Sequence, residues 1–399
     1  MKRIGYLHEK VCNISNIELA DNNARKHKIK KKGIIEHDKH RDSDNIKLSE
    51  SLKNLNYKTS EYKNATIYEP KERLLYILPY YPDRITHHAI MNVMEPIWTN
   101  MFISNTYSCI KGRGIHKLVN TLKRDLSKDV EGTKYCLKID IKKFYPSIKH
   151  PILMDIIKRG IKDKKLISII KEIVYSAAGV PIGNYLSQFF ANLFLTYFDH
   201  WVKEELKCKY YYRYADDIVV LSNNKKFLRN VLLAMKIYLK EVLGLELKPN
   251  YQIFPVESRG IDYVGYKFYH THILLRKSIK IKLFKLINSY TNKKISKEEF
   301  KRRIQSYFGW LKYCNSKNLL RKIEKLTYIK FSNWRGEETI ISNYYNRVVY
   351  VTGIIQYSKY YKVNFMYNGK AKSFKSKNKK LLAYISSYPF PNYIKIMKK

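Results

Sequence analysis

Acidic residues are scarce in this chain. Its 399 residues hold 34 Asp and Glu against 77 Lys and Arg, a formal net charge of +43 at pH 7. Codon bias toward AT would raise Asp and Glu together with Lys, so the imbalance is a property to explain, and a polyanionic partner is the first explanation. Paired cysteines are missing too. Cys12, Cys109, Cys136, Cys208 and Cys314 stand far apart with no C-x-x-C spacing, which removes a zinc site or dithiol redox motif and fits a reducing cytoplasm. Long apolar runs are absent: the greasiest stretch, 189–198, is broken by Asn192 and Thr196, and residues 1–13 lack a signal-peptide core. The expectation is a soluble cytoplasmic protein with no membrane partner. No repeat recurs at periods of about 20–50 residues, which sets solenoids aside.

What is present is a globular composition. With 45% hydrophobic and 14% aromatic residues, the chain is too apolar for a disordered basic tail. Residues 1–70 are polar, with apolar positions spaced as in short amphipathic helices and a basic run Lys26-His27-Lys28-Ile29-Lys30-Lys31-Lys32. That run reads equally as a solvated helical face or an RNA-contacting arm. Further on, 135–141 is a short β-rich run ending in an acid. The runs 210–214 and 218–221 are β-prone and are separated by Ala215-Asp216-Asp217, a tight hairpin. Between them Leu186, Phe189, Phe190, Leu193, Phe194, Tyr197 and Trp201 recur at helical spacing over 185–206. The spacing predicts another strand over 261–269, a basic helical stretch over 278–330, and β-prone runs 347–357 and 361–367 before Asn368-Gly369, a strong hairpin signal.

Strand, helix, then hairpin makes an α+β layer with acids at one end. Two adjacent carboxylates at a hairpin tip repel each other, and a divalent cation relieves that repulsion. If the 135–141 strand lies beside the hairpin, Asp140 and Asp216 can bridge two Mg²⁺ ions, an arrangement suited to in-line phosphoryl transfer. Histidines 87, 88, 270 and 272 have no cysteines or acids at ligand spacing, so they are not read as a metal site.

Tyr214-Ala215-Asp216-Asp217 resembles the Y-x-D-D box of reverse transcriptases, and Asp140 with Tyr145 resembles their first catalytic motif. Tyr80-Tyr81-Pro82-Asp83-Arg84 and Cys109-Ile110-Lys111-Gly112-Arg113-Gly114 are similar to the fingers motifs, 183–188 to the helix-opening motif, and Gly260-Ile261-Asp262-Tyr263-Val264-Gly265-Tyr266 to the primer grip. Where most cellular members have Gln-Gly-x-x-x-Ser-Pro, this chain has Ile182-Gly183-Asn184-Tyr185-Leu186-Ser187-Gln188. That form resembles the prokaryotic enzymes of diversity-generating retroelements, to which antiphage defence reverse transcriptases are similar. Tyr68-Glu69-Pro70-Lys71-Glu72-Arg73 and 258–278 continue the likeness.

The resemblance implies a right-hand polymerase of fingers, palm and thumb. Its expected divisions are a basic helical N-terminal extension (1–70), fingers and palm (71–270), a helical thumb (271–334) and a small β-rich basic C-terminal module (335–399). It implies Asp140, Asp216 and Asp217 as catalytic acids and, with Ile141, as ligands of two Mg²⁺. Arg84, Lys111 and Arg113 would hold an incoming triphosphate or else be ordinary surface bases. Tyr145 would exclude a 2′-hydroxyl. Ile182, Gly183 and Gln188 would line the template–dNTP pair, and Tyr263 and Gly265 the primer grip. Lys248 is the lysine nearest the place where many polymerases keep a proton donor for pyrophosphate, and it is left unassigned. Implied partners are a template or non-coding RNA, cDNA and RNA–DNA duplex, dNTPs, and as further candidates a small basic accessory protein and a second copy of the chain. The rival readings are a catalytically silent RNA-binding protein and an intron-encoded enzyme.

Overall fold

The computed structural model describes residues 3–68, 72–327, 329, 350–356, 361–367, 370–376 and 396–398. The chain divides into two compact units, Met1–Gly260 and Ile261–Lys399.

The N-terminal unit begins with four short helices, α1 (His8–Cys12), α2 (Ile14–Arg25), α3 (Lys32–Asp38) and α4 (Arg41–Lys53). Asn13 caps α2 by accepting from the Ser15 N–H at 2.9 Å. Helix α1 has no such side chain at its own start. Its first N–H groups, on Leu7 and His8, donate instead to Asp163 Oδ2 at 2.8 and 2.9 Å, which satisfies donors a helix start leaves open. Leu7, Val11, Ile17, Ala20, Ala24, Ile34, Leu48 and Leu52 are buried in the main core together with Ile85, Ala89 and Ile90. The buried Asp21 adds a polar tie, accepting from Arg25, from Arg41 Nε at 2.6 Å and from the Tyr80 hydroxyl. Helices α1–α4 therefore share one core with the rest of the N-terminal unit instead of standing apart as an extension. The basic run spans the connection 26–31 between α2 and α3 and ends on Lys32, the first residue of α3, so it is not a helical face.

Next come an antiparallel hairpin of β1 (Lys63–Ile67) and β2 (Arg73–Ile77), a π-type turn Tyr80–Arg84, α5 (Ile85–Thr99) and α6 (Ile115–Lys128). The chain continues through β3 (Tyr135–Asp140), α7 (Phe144–Ser147), α8 (His150–Gly160), α9 (Lys164–Val174), α10 (Ser187–Phe194) and α11 (Thr196–Glu204). The unit closes with β4 (Tyr210–Tyr214), β5 (Asp217–Ser222), α12 (Lys225–Glu241), β6 (Gln252–Pro255) and α13 (Val256–Arg259). The apolar period expected over 185–206 is two helices. They break at Leu195, where the Thr196 hydroxyl takes the Asn192 carbonyl at 3.1 Å, a bond that competes with the helical ladder.

Strands β4-β5-β3-β6 form one antiparallel sheet. Alternation assigns its faces. Leu137, Ile139, Tyr211, Ile218 and Val220 enter the main core, while Cys136, Tyr212, Val219 and Leu221 are buried on the other side. Helix α6 covers β4 on that side, where the Tyr212 hydroxyl donates to Asp125 at 2.7 Å. A sheet buried on both faces holds its strand ends rigidly, and the acids stand at such ends.

In the C-terminal unit the stretch 261–269 is a hairpin instead of one strand. β7 (Ile261–Tyr263) and β8 (Tyr266–Phe268) reverse at Val264 and Gly265, with φ of 40° and 92°, and β9 (Ile273–Leu275) completes a three-stranded sheet. A side chain at Gly265 would overlap the Trp310 ring. Helices α14 (Lys277–Thr291), α15 (Lys297–Leu311) and α16 (Lys317–Thr327) bury Leu283, Ile287, Phe300, Ile304, Phe308 and Ile323, matching the helical stretch read from the sequence. Strands β10 (Tyr350–Gln356), β11 (Tyr361–Tyr367), β12 (Lys370–Ser376) and β13 (Ile396–Lys398) form a sheet in the order β12-β11-β10-β13. Asn368 and Gly369 lie outside the described residues, but Tyr367 pairs with Lys370 across them. The side chains of Tyr357, Tyr360, Tyr361, Phe365 and Tyr367, and of the lysines from Lys370 to Lys380, also lie outside the described residues. Among the described residues no helix is long and apolar enough to cross a membrane.

Candidate active site

The sheet brings the three acids together. β3 pairs with β5 so that Asp140 faces Asp217, and the two-residue turn Ala215-Asp216 joins β4 to β5, with Ala215 at φ 53°. Asp217 is thus the first residue of a strand, not part of the turn as its sequence suggested. Directly opposed residues share a face of the sheet, so Asp140 and Asp217 project side by side. The backbone closes the corner: the Ile141 N–H donates to the Asp216 carbonyl at 3.3 Å, and the Lys248 N–H to the Asp140 carbonyl at 2.9 Å.

Charge there is finely opposed. Burial, and next the Asp140 charge, push the Asp216 carboxyl above the usual carboxylate range, while Lys248 and Arg73 pull it back. Lys248 Nζ lies 2.5 Å from Asp140 Oδ1, and Lys138 Nζ lies 3.6 Å from Asp217 Oδ2. The donors are all oxygens, the hard ligands Mg²⁺ prefers, and a buried carboxyl whose ionisation a second carboxylate resists is what a divalent cation would relieve. Among the described residues no three His, Cys, Asp or Glu side chains form a ready-made metal cluster. The donor set fits a cation in charge and chemistry, with lysines standing against two of the acids.

Two residues that sequence reasoning missed shape this corner. Arg73, on β2, is one of the cations in reach of Asp216. Arg213, on β4 between tyrosines, is fully buried with Asp199 of α11. Its Nε donates to both Asp199 oxygens at 2.8 and 2.9 Å, and Nη2 to Oδ2 at 2.6 Å. Its Nη1 donates to Asn192 Oδ1 and to the Ala215 carbonyl, each at 3.0 Å. One planar fork thereby ties the acid-bearing turn to α10 and α11. A charged residue inside an otherwise apolar strand was the available signal, since a buried arginine needs an acid.

The other expected residues divide. Tyr145, on α7, is half-buried, and its phenol is pushed up by burial, with the Cys109 thiol and the Asp216 carboxyl as neighbours, so it stands at the acids. The Arg84 guanidinium lies 5.8 Å from the Tyr185 ring centre, and Tyr185 stacks on His88 at 3.9 Å. His87 and His88 are buried, their pKa values lowered to about 3 and about 4 by burial and then by Arg84. Arg113 donates to the Ile103 carbonyl at 2.9 Å, and Lys111 and Gln188 are exposed. The Ile182 carbonyl accepts the Tyr76 N–H at 2.8 Å, and Gly183, at φ 129°, has no room for a Cβ because it would overlap the Tyr76 carbonyl. That glycine thus serves a backbone-to-backbone approach within the protein. Tyr263 is buried in the C-terminal unit.

The reverse transcriptase (RNA-dependent DNA polymerase) family profile matches residues 62–268, just over half of the chain and the whole of the acid-bearing sheet. The chain belongs to that family. It is 30% identical over 266 residues to the retron Ec73 reverse transcriptase of Escherichia coli, covering 62% of this chain and 78% of that protein. It is 27% identical over 139 residues to protein YkfC of Escherichia coli K12 (32% and 36% covered), and 25% identical over 171 residues to the group II intron-encoded protein LtrA of Lactococcus lactis (37% and 28%). The telomerase structure from Candida albicans, solved with a fragment of telomeric RNA, aligns with a TM-score of 0.45 at 13% identity over 69% of this chain and 55% of that one. The expected kinship with prokaryotic reverse transcriptases and the α+β right-hand polymerase fold are borne out, and the enzyme class is RNA-directed DNA polymerase. Reverse transcriptases use divalent metal ions.

Proposed function

We propose that this protein copies a dedicated non-coding RNA into cDNA. The observation that carries the reading is the register Asp140 opposite Asp217, with Asp216 in the intervening turn, inside the segment that matches the family. Asp140, Asp216 and Asp217, with the Ile141 backbone, would hold two Mg²⁺, which supply charge to the attacking and leaving oxygens of nucleotidyl transfer. Arg73 and Lys248 place positive charge where a triphosphate would lie, Lys248 at hydrogen-bond distance from Asp140. Tyr145 offers a bulky ring beside the acids, suited to excluding a 2′-hydroxyl. Likeness to a retron enzyme favours cDNA made from an associated RNA, as in antiphage defence; Ile182-Gly183 through Gln188 keeps the diversity-generating programme as a second reading. The high net charge supports the RNA partner.

The test is to purify wild-type protein and Asp216→Asn from the native host and to sequence the RNA and DNA that accompany each. One RNA species enriched with both, and complementary DNA with the wild type alone, is the expected result. Equal cDNA from both proteins, or no enriched RNA, would refute it.

A further inference from the structure

Strands β1 and β2 are largely exposed, and a two-stranded hairpin without a core is marginal in water. What fixes its lean lies in the 182–184 loop. The Tyr76 N–H donates to the Ile182 carbonyl at 2.8 Å, across the gap that Gly183 keeps open. Tyr62, the residue before β1, supplies the second hold. Its hydroxyl lies 2.7 Å from Asn184 Nδ2 and 2.7 Å from Ser176 Oγ, and its ring meets Tyr76 edge-on with centres 5.5 Å apart.

Proton bookkeeping gives this chain a direction. Ser176 spends its only proton on the Ile173 carbonyl, at 2.7 Å, so toward Tyr62 it can only accept. Tyr62 therefore donates to Ser176 and accepts from Asn184, and its phenol, raised above its ordinary range by burial, keeps the proton the relay needs. Asn184 is 7% exposed, and its Oδ1 has no partner among the described residues, so Tyr62 is the group that orients its amide. Arg73 stands on this same hairpin, paired with Ile67.

We propose that Tyr62 is a positioning residue: through Asn184 and Ser176 it seats the β1–β2 hairpin, and so fixes the reach of Arg73 toward the catalytic carboxylates. This inference rests on the polymerase reading. It makes Tyr62 a determinant of dNTP affinity, not of the rate of bond formation.

Single-dNTP incorporation on an RNA template, with Mg²⁺, tests it. Tyr62→Phe should raise KM for dNTP roughly three- to tenfold, the factor one lost neutral hydrogen bond gives, and leave kcat within about twofold. Ser176→Ala, which removes the acceptor, should reproduce that shift. In an Arg73→Ala background Tyr62→Phe should add nothing. Unchanged KM, a fall in kcat at constant KM, or full additivity with Arg73→Ala would overturn the proposal. Hydrogen exchange at the Tyr76 amide gives a readout independent of turnover: it should quicken in Tyr62→Phe, and unchanged exchange overturns the proposal. If the wild type incorporates no dNTP on any RNA template, the polymerase reading fails by itself, and exchange at Tyr76 still decides whether Tyr62 seats the hairpin.

Discussion

Arg213→Met separates two jobs that one side chain performs. Both Arg213 and Asp199 are fully buried, and the variant leaves the Asp199 carboxylate to the Tyr211 hydroxyl at 2.5 Å and the Thr106 hydroxyl at 3.0 Å. Removing one partner of a buried ion pair costs about 3–5 kcal/mol, because the other charge is stranded in low dielectric. For a unit of this size each kcal/mol moves Tm by about 2–4 °C, so the expected drop is about 6–20 °C. Adding Asp199→Asn removes the stranded charge and should recover more than half of the loss. It cannot restore the bond from Nη1 to the Ala215 carbonyl, so primer extension by the double variant should stay well below wild type. Differential scanning calorimetry with parallel extension assays reads both quantities. A single variant melting within about 2 °C of wild type would refute the electrostatic reasoning, and full activity in the double variant would refute the role assigned to the turn.

The raised Asp216 carboxyl has a linkage consequence. A group whose folded pKa is raised contributes stability that is present below its unfolded value and is lost as pH rises through the folded one. Asp216→Asn should therefore melt higher than metal-free wild type at pH 8 while losing synthesis. Added Mg²⁺ should stabilise the wild type more at pH 8 than at pH 5, and an equal Mg²⁺ shift in Asp216→Asn would contradict the site. His87 and His88 act in the opposite sense: lowered to about 3 and about 4, they stay neutral in the fold, and stability present above about pH 6.5 is lost as pH falls. At pH 5 each should cost about 2 kcal/mol. His87→Gln should flatten the acid limb of a Tm–pH curve, and an unchanged limb would exclude His87 as its source.

Legibility followed periodicity. Strands β3, β4 and β5 were readable because aromatic and aliphatic runs end in acids, and their pairing put Asp140 beside the turn as the motif order implied. The hairpin of β7 and β8 looked like one strand, since Val264 carries no turn signal and only Gly265 betrays the reversal. Arg84 looked like a triphosphate ligand because it sits in a fingers-like motif, whereas Arg73, with Lys248 a cation in reach of Asp216, owes its place to a hairpin seated by contacts from residues 62, 176 and 182–184. Such long-range seating leaves no local pattern. The same holds for helices α1–α4, whose polar composition suggested an appendage although Leu7, Val11, Ile17, Ile34, Leu48 and Leu52 enter the main core.

Asp163 closes the start of α1 from 155 residues downstream of His8, and this bears on how the protein is made. At about 5–20 residues per second a ribosome needs roughly 8–30 s to reach that carboxylate after His8 has been added. During that interval the Leu7 and His8 N–H groups lack their acceptor, although α2, α4 and α5, against which α1 packs, are already made. Helix α1 can therefore dock on α2, α4 and α5 before its start is capped, and a nascent chain stalled before Asp163 carries an uncapped α1.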